Sequence, residues 1–114
     1  MKLKQAEVIK DIIVMDRLKT MSERLKREYN AQKVILYGSH ARGEATEDSD
    51  IDVFIVAPTQ ERFFERMATV LRILRDLYHG VPISPIVLSP DELEERKNIG
   101  DQFINQILNE GIEL

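Results

Sequence analysis

Two acidic residues, Asp50 and Asp52, stand one residue apart at the start of an apolar run. In a β-strand, successive side chains alternate between the two faces, so these two carboxylates are expected to point the same way. Neighbouring like charges repel each other, and a bound cation removes that cost. Mg²⁺ and Mn²⁺ accept carboxylate oxygens, and Mg²⁺ keeps coordination positions for substrate phosphates. The pair therefore predicts a site for a metal-bound phosphate.

A second motif, Gly38-Ser39, ends the preceding apolar run, residues 34–37. A glycine lets backbone N–H groups approach an anion closely, and a serine hydroxyl adds a donor. If residues 40–42 begin a short helix, its N-terminus faces the same phosphates, and Arg42 adds a charge-assisted contact. A β-turn-β unit with an acidic turn is the competing interpretation, and either motif alone would favour it. Together, each beside a predicted strand, the two motifs favour a nucleotide–metal site.

His40 lies between these motifs, and two interpretations of it stay open. As a neutral or charged imidazole it contacts phosphate or leaving pyrophosphate. Alternatively, it is an exposed loop histidine without a role in binding.

The segments Gly38-Ser39, Arg42-Gly43 and 49–52 (Ser-Asp-Ile-Asp) resemble the signature of the DNA polymerase β-type nucleotidyltransferase superfamily. The small size and the details of these segments are similar to its minimal nucleotidyltransferase (MNT) branch. The resemblance implies an α/β (α+β) fold, with a small mixed β-sheet, helices packed mainly on one face, and one domain over residues 1–114. It implies that Asp50 and Asp52 are catalytic and bind Mg²⁺ or Mn²⁺. The nucleotide- and phosphate-binding positions that it implies are Gly38, Ser39, Arg42 and Ser49.

The sequence departs from this family pattern at the third carboxylate. In the MNT branch that acid usually stands two residues after a proline resembling Pro82, and the position is Ser84 here. Serine is a weak, neutral ligand, so the metal that activates the attacking hydroxyl is expected to bind less tightly. Two outcomes stay open: a nucleotide-binding domain with slow or no transfer, or an enzyme whose site is completed by a water, Glu44 or a partner's carboxylate.

The resemblance also implies a reaction and a partner. The reaction is transfer of a nucleoside monophosphate, AMP from ATP in the simplest case, to a hydroxyl. MNT proteins usually act as antitoxins for HEPN-domain ribonuclease toxins, in which a tyrosine is the acceptor. A catalytically degenerate module that neutralises its partner by contact alone is the alternative, and Ser84 favours it. A purely structural α/β domain is the third hypothesis.

Composition sets broader limits on the 114 residues. The longest uninterrupted apolar run, residues 53–57, is too short to span a membrane. The chain has no cysteine, which excludes a disulfide and a thiolate metal site. A net charge of −4 argues against strong non-specific binding to nucleic acid, which requires a basic surface. A cytoplasmic protein is expected.

Apolar periodicity and turn residues predict the elements that position these motifs. The predicted helices cover residues 3–29, 60–78 and a C-terminal segment interrupted near Gly100, and the predicted strands cover 33–37, 51–57, 81–88 and 112–114. Pro82 and Pro85 indicate an edge strand, because proline cannot donate to a β-ladder. The predicted core face of the second helix consists of Phe63, Met67, Val70, Leu71, Leu74, Leu77 and Tyr78.

The first helix carries a second apolar surface, formed by Ile9, Ile12 and Ile13, opposite the stripe expected to pack on the sheet. One small sheet does not cover both sides of a helix. A local bend that turns these isoleucines inward is one explanation. Contact with another chain is favoured, either a second copy or a protein partner.

Overall fold

Within residues 2–46, 48–78 and 80–114, which the computed structural model describes (side chains from Val14 onward), four strands form one mixed sheet. The elements in chain order are α1 (Lys2–Glu28), β1 (Lys33–Tyr37), β2 (Ile51–Val56), α2 (Phe63–Ile73), β3 (Ile83–Leu88), α3 (Pro90–Asn98), α4 (Gln102–Glu110) and β4 (Ile112–Glu113). Over these ranges, each helix is too short or too polar to cross a lipid bilayer.

The sheet has the strand order β3-β2-β1-β4. Strand β1 runs antiparallel to both β2 and β4, whereas β2 and β3 run parallel. The edge position of β3 confirms the expectation from its prolines. In this register, Asp52 on β2 pairs with Tyr37 on β1 and with Ser84 on β3. One row across the sheet therefore holds a phenol, a carboxylate and a hydroxyl.

Helices α1 and α2 cover one face of the sheet. Leu18 and Leu25 of α1, Val70 of α2 and Leu74, which directly follows α2, pack against Val53 and its neighbours. The mixed sheet is confirmed, and the two longest helices lie on one face as expected. The second face is also covered, because α4 packs on it: the residues of this smaller cluster are Ile35, Phe54, Val56, Leu88, Ile104 and Ile107. Asp52 shares the second face with Phe54, since residues two apart on a strand point the same way.

The first half of α2 differs from its prediction. Phe63 and Met67, expected in the core, are 53% and 38% exposed, whereas Arg66 is only 7% exposed. The Arg66 guanidinium donates to the carbonyl oxygen of Val87 at 3.1 Å and to the Glu92 carboxylate at 2.7 Å. These acceptors near the end of β3 and the start of α3 satisfy a buried cation, so a charged residue takes the inward position. The predicted core residues Val70 and Leu74, farther along, are buried.

The interruption predicted near Gly100 separates α3 from α4. Gly100 has φ +72°, and the Asp101 carboxylate caps α4 by accepting from the backbone N–H groups of Phe103 and Ile104. Ser89 and Glu92, which are spaced as Ser-x-x-Glu in the sequence, form a capping box at the start of α3. The side chains of Ile9, Ile12 and Ile13, which carry the predicted contact surface of α1, lie outside those that the structure describes.

Candidate active site

Asp52 is the central residue of the candidate site. Partial burial raises the pKa of its carboxyl above the ordinary value, and the charge of Asp50 acts in the same direction. His40 and Arg42 oppose this shift, because their positive charges favour the carboxylate. All three residues must lie near Asp52 to have these effects. The structure thus brings together the acidic pair and two of the loop residues singled out from the sequence.

Gly38 packs directly against this carboxylate. Its φ of +76° lies in the left-handed region, and a Cβ at this position would come within 3.2 Å of Asp52 Cγ and closer still to Oδ2. Glycine is required for both reasons, conformation and space. From the sequence, Gly38 was explained by the close approach of a phosphate; the fold adds the close approach of the Asp52 carboxylate.

The loop after Gly38 is a series of turns without a regular helix. The backbone N–H groups of Ala41 and Arg42 both donate to the carbonyl oxygen of Gly38 at 3.1 Å, and that of Glu44 donates to the Ser39 carbonyl at 2.9 Å. The short helix considered for residues 40–42 is therefore replaced by one tight turn. Ser39 stands at the start of this turn, beside Gly38 and partly buried.

Two other predicted phosphate-binding residues have partners within the loop. Arg42 Nε donates to the Glu44 carboxylate at 3.1 Å. Ser49 Oγ accepts from the backbone N–H of Thr46 at 2.9 Å, which stabilises the turn before Asp50. In this structure the Ser49 hydroxyl therefore stabilises the conformation of the loop. Glu44, a candidate for completing the metal site, is exposed and already paired with Arg42.

Ser84 lies beside Asp52 in the parallel β2–β3 register, on the same face of the sheet. Among the described residues, no group of three or more His, Cys, Asp and Glu side chains is arranged to hold a metal ion. Within residues 2–46, 48–78 and 80–114, the acidic ligands at this site are therefore the Asp50–Asp52 pair. This donor set fits an ion such as Mg²⁺, which binds through one or two carboxylates and takes its remaining ligands from water and phosphate oxygens. A bound cation would also offset the electrostatic repulsion between the Asp50 and Asp52 carboxylates.

Tyr37, which the sequence analysis did not single out, flanks Asp52 on the other side. Partial burial, assisted by the Asp52 charge, raises the pKa of its phenol to about 12, so the hydroxyl stays protonated at neutral pH. Its ring meets that of Phe103 edge to face, with centroids 5.8 Å apart. In the sequence, only its place at the end of β1 distinguishes Tyr37. The antiparallel pairing of β1 with β2 shows that it lies next to Asp52.

A cavity of about 250 Å³ adjoins this region, between the signature loop and α4. One side consists of Tyr37, Gly38, Ala41 and Arg42. The other side consists of the α4 residues Phe103, Gln106, Ile107 and Glu110. Their spacing of three and four residues is visible in the sequence, but the element that they face is decided by the packing of α4.

Comparisons with known proteins identify the family of the chain. The sequence profile of the nucleotidyltransferase domain matches residues 18–114. Two Methanocaldococcus jannaschii proteins are similar to the chain. "Putative protein adenylyltransferase MJ0604" is 38% identical over 82% of this chain and 90% of its own length. "Putative protein adenylyltransferase MJ0141" is 34% identical over 72% of this chain and 77% of its own length.

A solved structure shares the fold. It is the crystal structure of a putative nucleotidyltransferase from Sulfolobus solfataricus, with a TM-score of 0.61 and 23% identity over 93% of this chain and 83% of that chain. The profile match extends from α1 to the last residue and includes the Gly-Ser and Asp-x-Asp motifs. The chain belongs to the nucleotidyltransferase domain family, in the minimal nucleotidyltransferase branch of the DNA polymerase β-type superfamily.

Proposed function

We propose that residues 1–114 form one nucleotidyltransferase domain that binds Mg-ATP and transfers AMP to a hydroxyl acceptor, with release of pyrophosphate and of the hydroxyl proton. The observation that carries this proposal is the contact between Gly38 and the Asp52 carboxylate, with Asp50 close by. A phosphate-binding turn and an acidic pair are thereby held against each other. The names of the M. jannaschii relatives support protein adenylylation as the reaction class.

Each residue has a defined role in this proposal. Asp50 and Asp52 bind the metal and hold it beside the turn. The backbone at Gly38 and the Ser39 hydroxyl bind phosphate oxygens, and Arg42 adds positive charge after exchanging Glu44 for phosphate. Mg²⁺ or Mn²⁺, when bound, neutralises phosphate charge and favours attack at the α-phosphate. The Tyr37 hydroxyl, protonated at neutral pH, is available as a hydrogen-bond donor beside Asp52.

The proposed acceptor is a tyrosine on a HEPN-type partner, whose ribonuclease activity the modification would inhibit. The chain is small, and the candidate site is an open region at one end of the sheet. A folded partner can therefore present a hydroxyl there without a separate substrate-binding domain. This antitoxin role rests on the family resemblance.

A catalytically degenerate module that acts by contact alone is the second candidate, and Ser84 is the observation that favours it. Ser84 occupies the position beside Asp52 where a third carboxylate would complete the site for a second metal. Such a module would bind Mg-ATP and its partner without transferring AMP.

ATP labelled at the α-phosphate or at the γ-phosphate separates these functions. The protein is co-expressed with a HEPN-type candidate partner, and the purified pair is incubated with Mg²⁺ and either label. Transfer of the α label alone to the partner, lost in Asp52→Asn, is expected. Binding of ATP without transfer of either label would establish the contact-only module, and transfer of the γ label would overturn the proposal in favour of phosphorylation.

A further inference from the structure

The cavity between the signature loop and α4 is suited to a flat, largely apolar ring. Phe103 and Tyr37 meet at an angle of 84° between their ring planes, which forms an aromatic corner. Ile107 and Ala41 add apolar surface to the lining. Phe103 is 48% exposed, so one face of its ring remains available for stacking. Aromatic side chains commonly bind nucleobases in this way.

The polar groups of the cavity have a definite pattern. Gln106 Nε2 donates to Glu110 Oε2 at 3.3 Å, one turn apart on α4. This bond leaves the second Nε2 hydrogen as a donor and the other Glu110 oxygen as an acceptor. Adenine presents the complementary pair: a ring nitrogen that accepts and an exocyclic amine that donates.

The position of Glu110 also argues for a ligand. It is the last residue of α4, where a negative charge opposes the helix dipole, and the last turn contains no basic residue. A carboxylate in the cavity repels phosphate, whereas Gly38 and Arg42 on the opposite wall favour it. The charges therefore orient a nucleotide with its base toward α4 and its phosphates toward Asp52.

We infer that this cavity is the nucleobase subsite: adenine packs against Phe103 and Tyr37, its exocyclic amine donates to Glu110, and Gln106 donates to a ring nitrogen. The inference rests on the proposed function, because it requires that the triphosphate bind at the Gly38 turn. It explains how so small a domain selects a base.

Calorimetric titration with three ligands, each with Mg²⁺, tests the inference. The ligands are inorganic tripolyphosphate, ATP, and the purine nucleotide that lacks the 6-amino group. The wild type is expected to bind ATP about tenfold or more tighter than tripolyphosphate, since stacking on aromatic side chains contributes this much or more. The nucleotide without the amine is expected to fall between them.

Matched variants assign these differences to the cavity. Phe103→Leu should bring ATP affinity close to that of tripolyphosphate, and Glu110→Ala should remove the difference due to the amine. The controls are Phe64→Leu and Glu95→Ala, which change exposed residues outside the cavity and should behave as the wild type. Tripolyphosphate affinity should be the same in the wild type, Phe103→Leu and both controls, and equal or higher in Glu110→Ala, which removes the charge that repels phosphate.

The outcomes separate the two proposals. If wild type binds tripolyphosphate and ATP equally, or if Phe103→Leu and Glu110→Ala match their controls, the subsite is wrong while the phosphate and metal site stands. If neither ligand binds the wild type, the proposed function fails, and the subsite fails with it.

Discussion

The Asp52 carboxylate lies against the α-carbon of Gly38, in the space that a side chain at position 38 would occupy. The contact joins the end of β1 to the start of β2, because Asp52 pairs with the neighbouring residue Tyr37. A change in the turn should therefore directly alter the position of the Asp52 carboxylate. Several consequences of this arrangement can be measured.

Gly38→Ala should reduce both stability and Mg-ATP binding. The left-handed φ costs alanine about 1 kcal/mol, and the new Cβ displaces the Asp52 carboxylate. Gly43→Ala is the matched control, since Gly43 has φ +72° but nothing within 4 Å of its Cβ position. Chemical denaturation should show a loss in both variants, larger for Gly38→Ala, and calorimetry should show weaker binding in Gly38→Ala alone. Equal ATP affinities in the two variants would contradict the role of the Gly38 contact.

Asp52→Asn should stabilise the ligand-free protein while weakening Mg-ATP binding. The pKa of Asp52 is raised above its ordinary 3.8, so the folded state loses stability as pH rises through that value to the folded pKa. Asparagine carries no charge and avoids this cost at neutral pH. Binding should fall by at least about tenfold, the effect of altering even an outer-shell partner of a metal. Asp48→Asn, which changes an exposed acid, is the control, and a lower melting temperature for Asp52→Asn than for this control would be inconsistent with repulsion in the pair.

Ser84→Asp should raise transfer activity with little change in ATP affinity. The new carboxylate would stand beside Asp52 on β3, the neighbouring strand, and supply the missing ligand for the second metal. That metal acts on the transition state more than on ground-state binding. The assay is AMP incorporation into the co-purified partner, with Ser84→Asn as the isosteric neutral control. A wild type that is already fast, and unchanged by Ser84→Asp, would show that another group supplies the third ligand.

The stability of Ser84→Asp provides a separate test. Three neighbouring carboxylates repel one another, so ligand-free Ser84→Asp should melt at a lower temperature than Ser84→Asn. Addition of Mg²⁺ should recover most of the difference. If Mg²⁺ stabilises Ser84→Asp no more than it stabilises the wild type, position 84 does not face the metal site.

Glu92→Gln should destabilise the fold at neutral pH and have no effect in acid. The Arg66 guanidinium, with help from Ser89, lowers the pKa of Glu92 below its ordinary 4.5. Its stabilising effect is therefore complete above the unfolded-state pKa and disappears as pH falls through the lower folded value. We expect the free energy of unfolding to fall by about 1 kcal/mol at pH 7. The loss is no larger because the Glu92 side chain is 39% exposed and solvent screens its charge. Glu94→Gln, which removes a 3.8 Å surface pair with Lys97, should cost almost nothing. Denaturation curves at pH 7 and pH 3 that show the same Glu92→Gln deficit would rule out this explanation.

The isoleucine surface of α1 remains a prediction from the sequence. Replacing Ile9, Ile12 and Ile13 together with alanine should dissociate a modest interface, since a buried apolar side chain contributes roughly 1.5–3 kcal/mol. Light scattering after gel filtration would detect loss of a homo-oligomer, and co-purification would detect loss of a partner. Burial of all three residues within their own chain, seen as slow hydrogen exchange of this part of α1 in a monomer, would show that the surface is core.

The family, the mixed sheet and most of its elements could be predicted from the sequence, because these features depend on short-range patterns. The Gly-Ser turn, the Asp-x-Asp alternation, the Ser89 capping box and the break at Gly100 each involve residues a few positions apart. Such patterns can be recognised without knowledge of the fold. Even the absence of an acid at position 84 was visible in this way.

What only the tertiary structure decided depends on contacts between distant segments. The pairing of Tyr37 with Asp52, the inward turn of Arg66 toward Glu92 and the packing of α4 beside the loop join residues 15 or more positions apart. Helical periodicity placed Phe63 and Met67 in the core, but it does not show where buried carbonyl and carboxylate groups need a cation. Local sequence defines which residues share a face, whereas the partner of that face is chosen by the free energy of packing and hydrogen bonding over the whole chain.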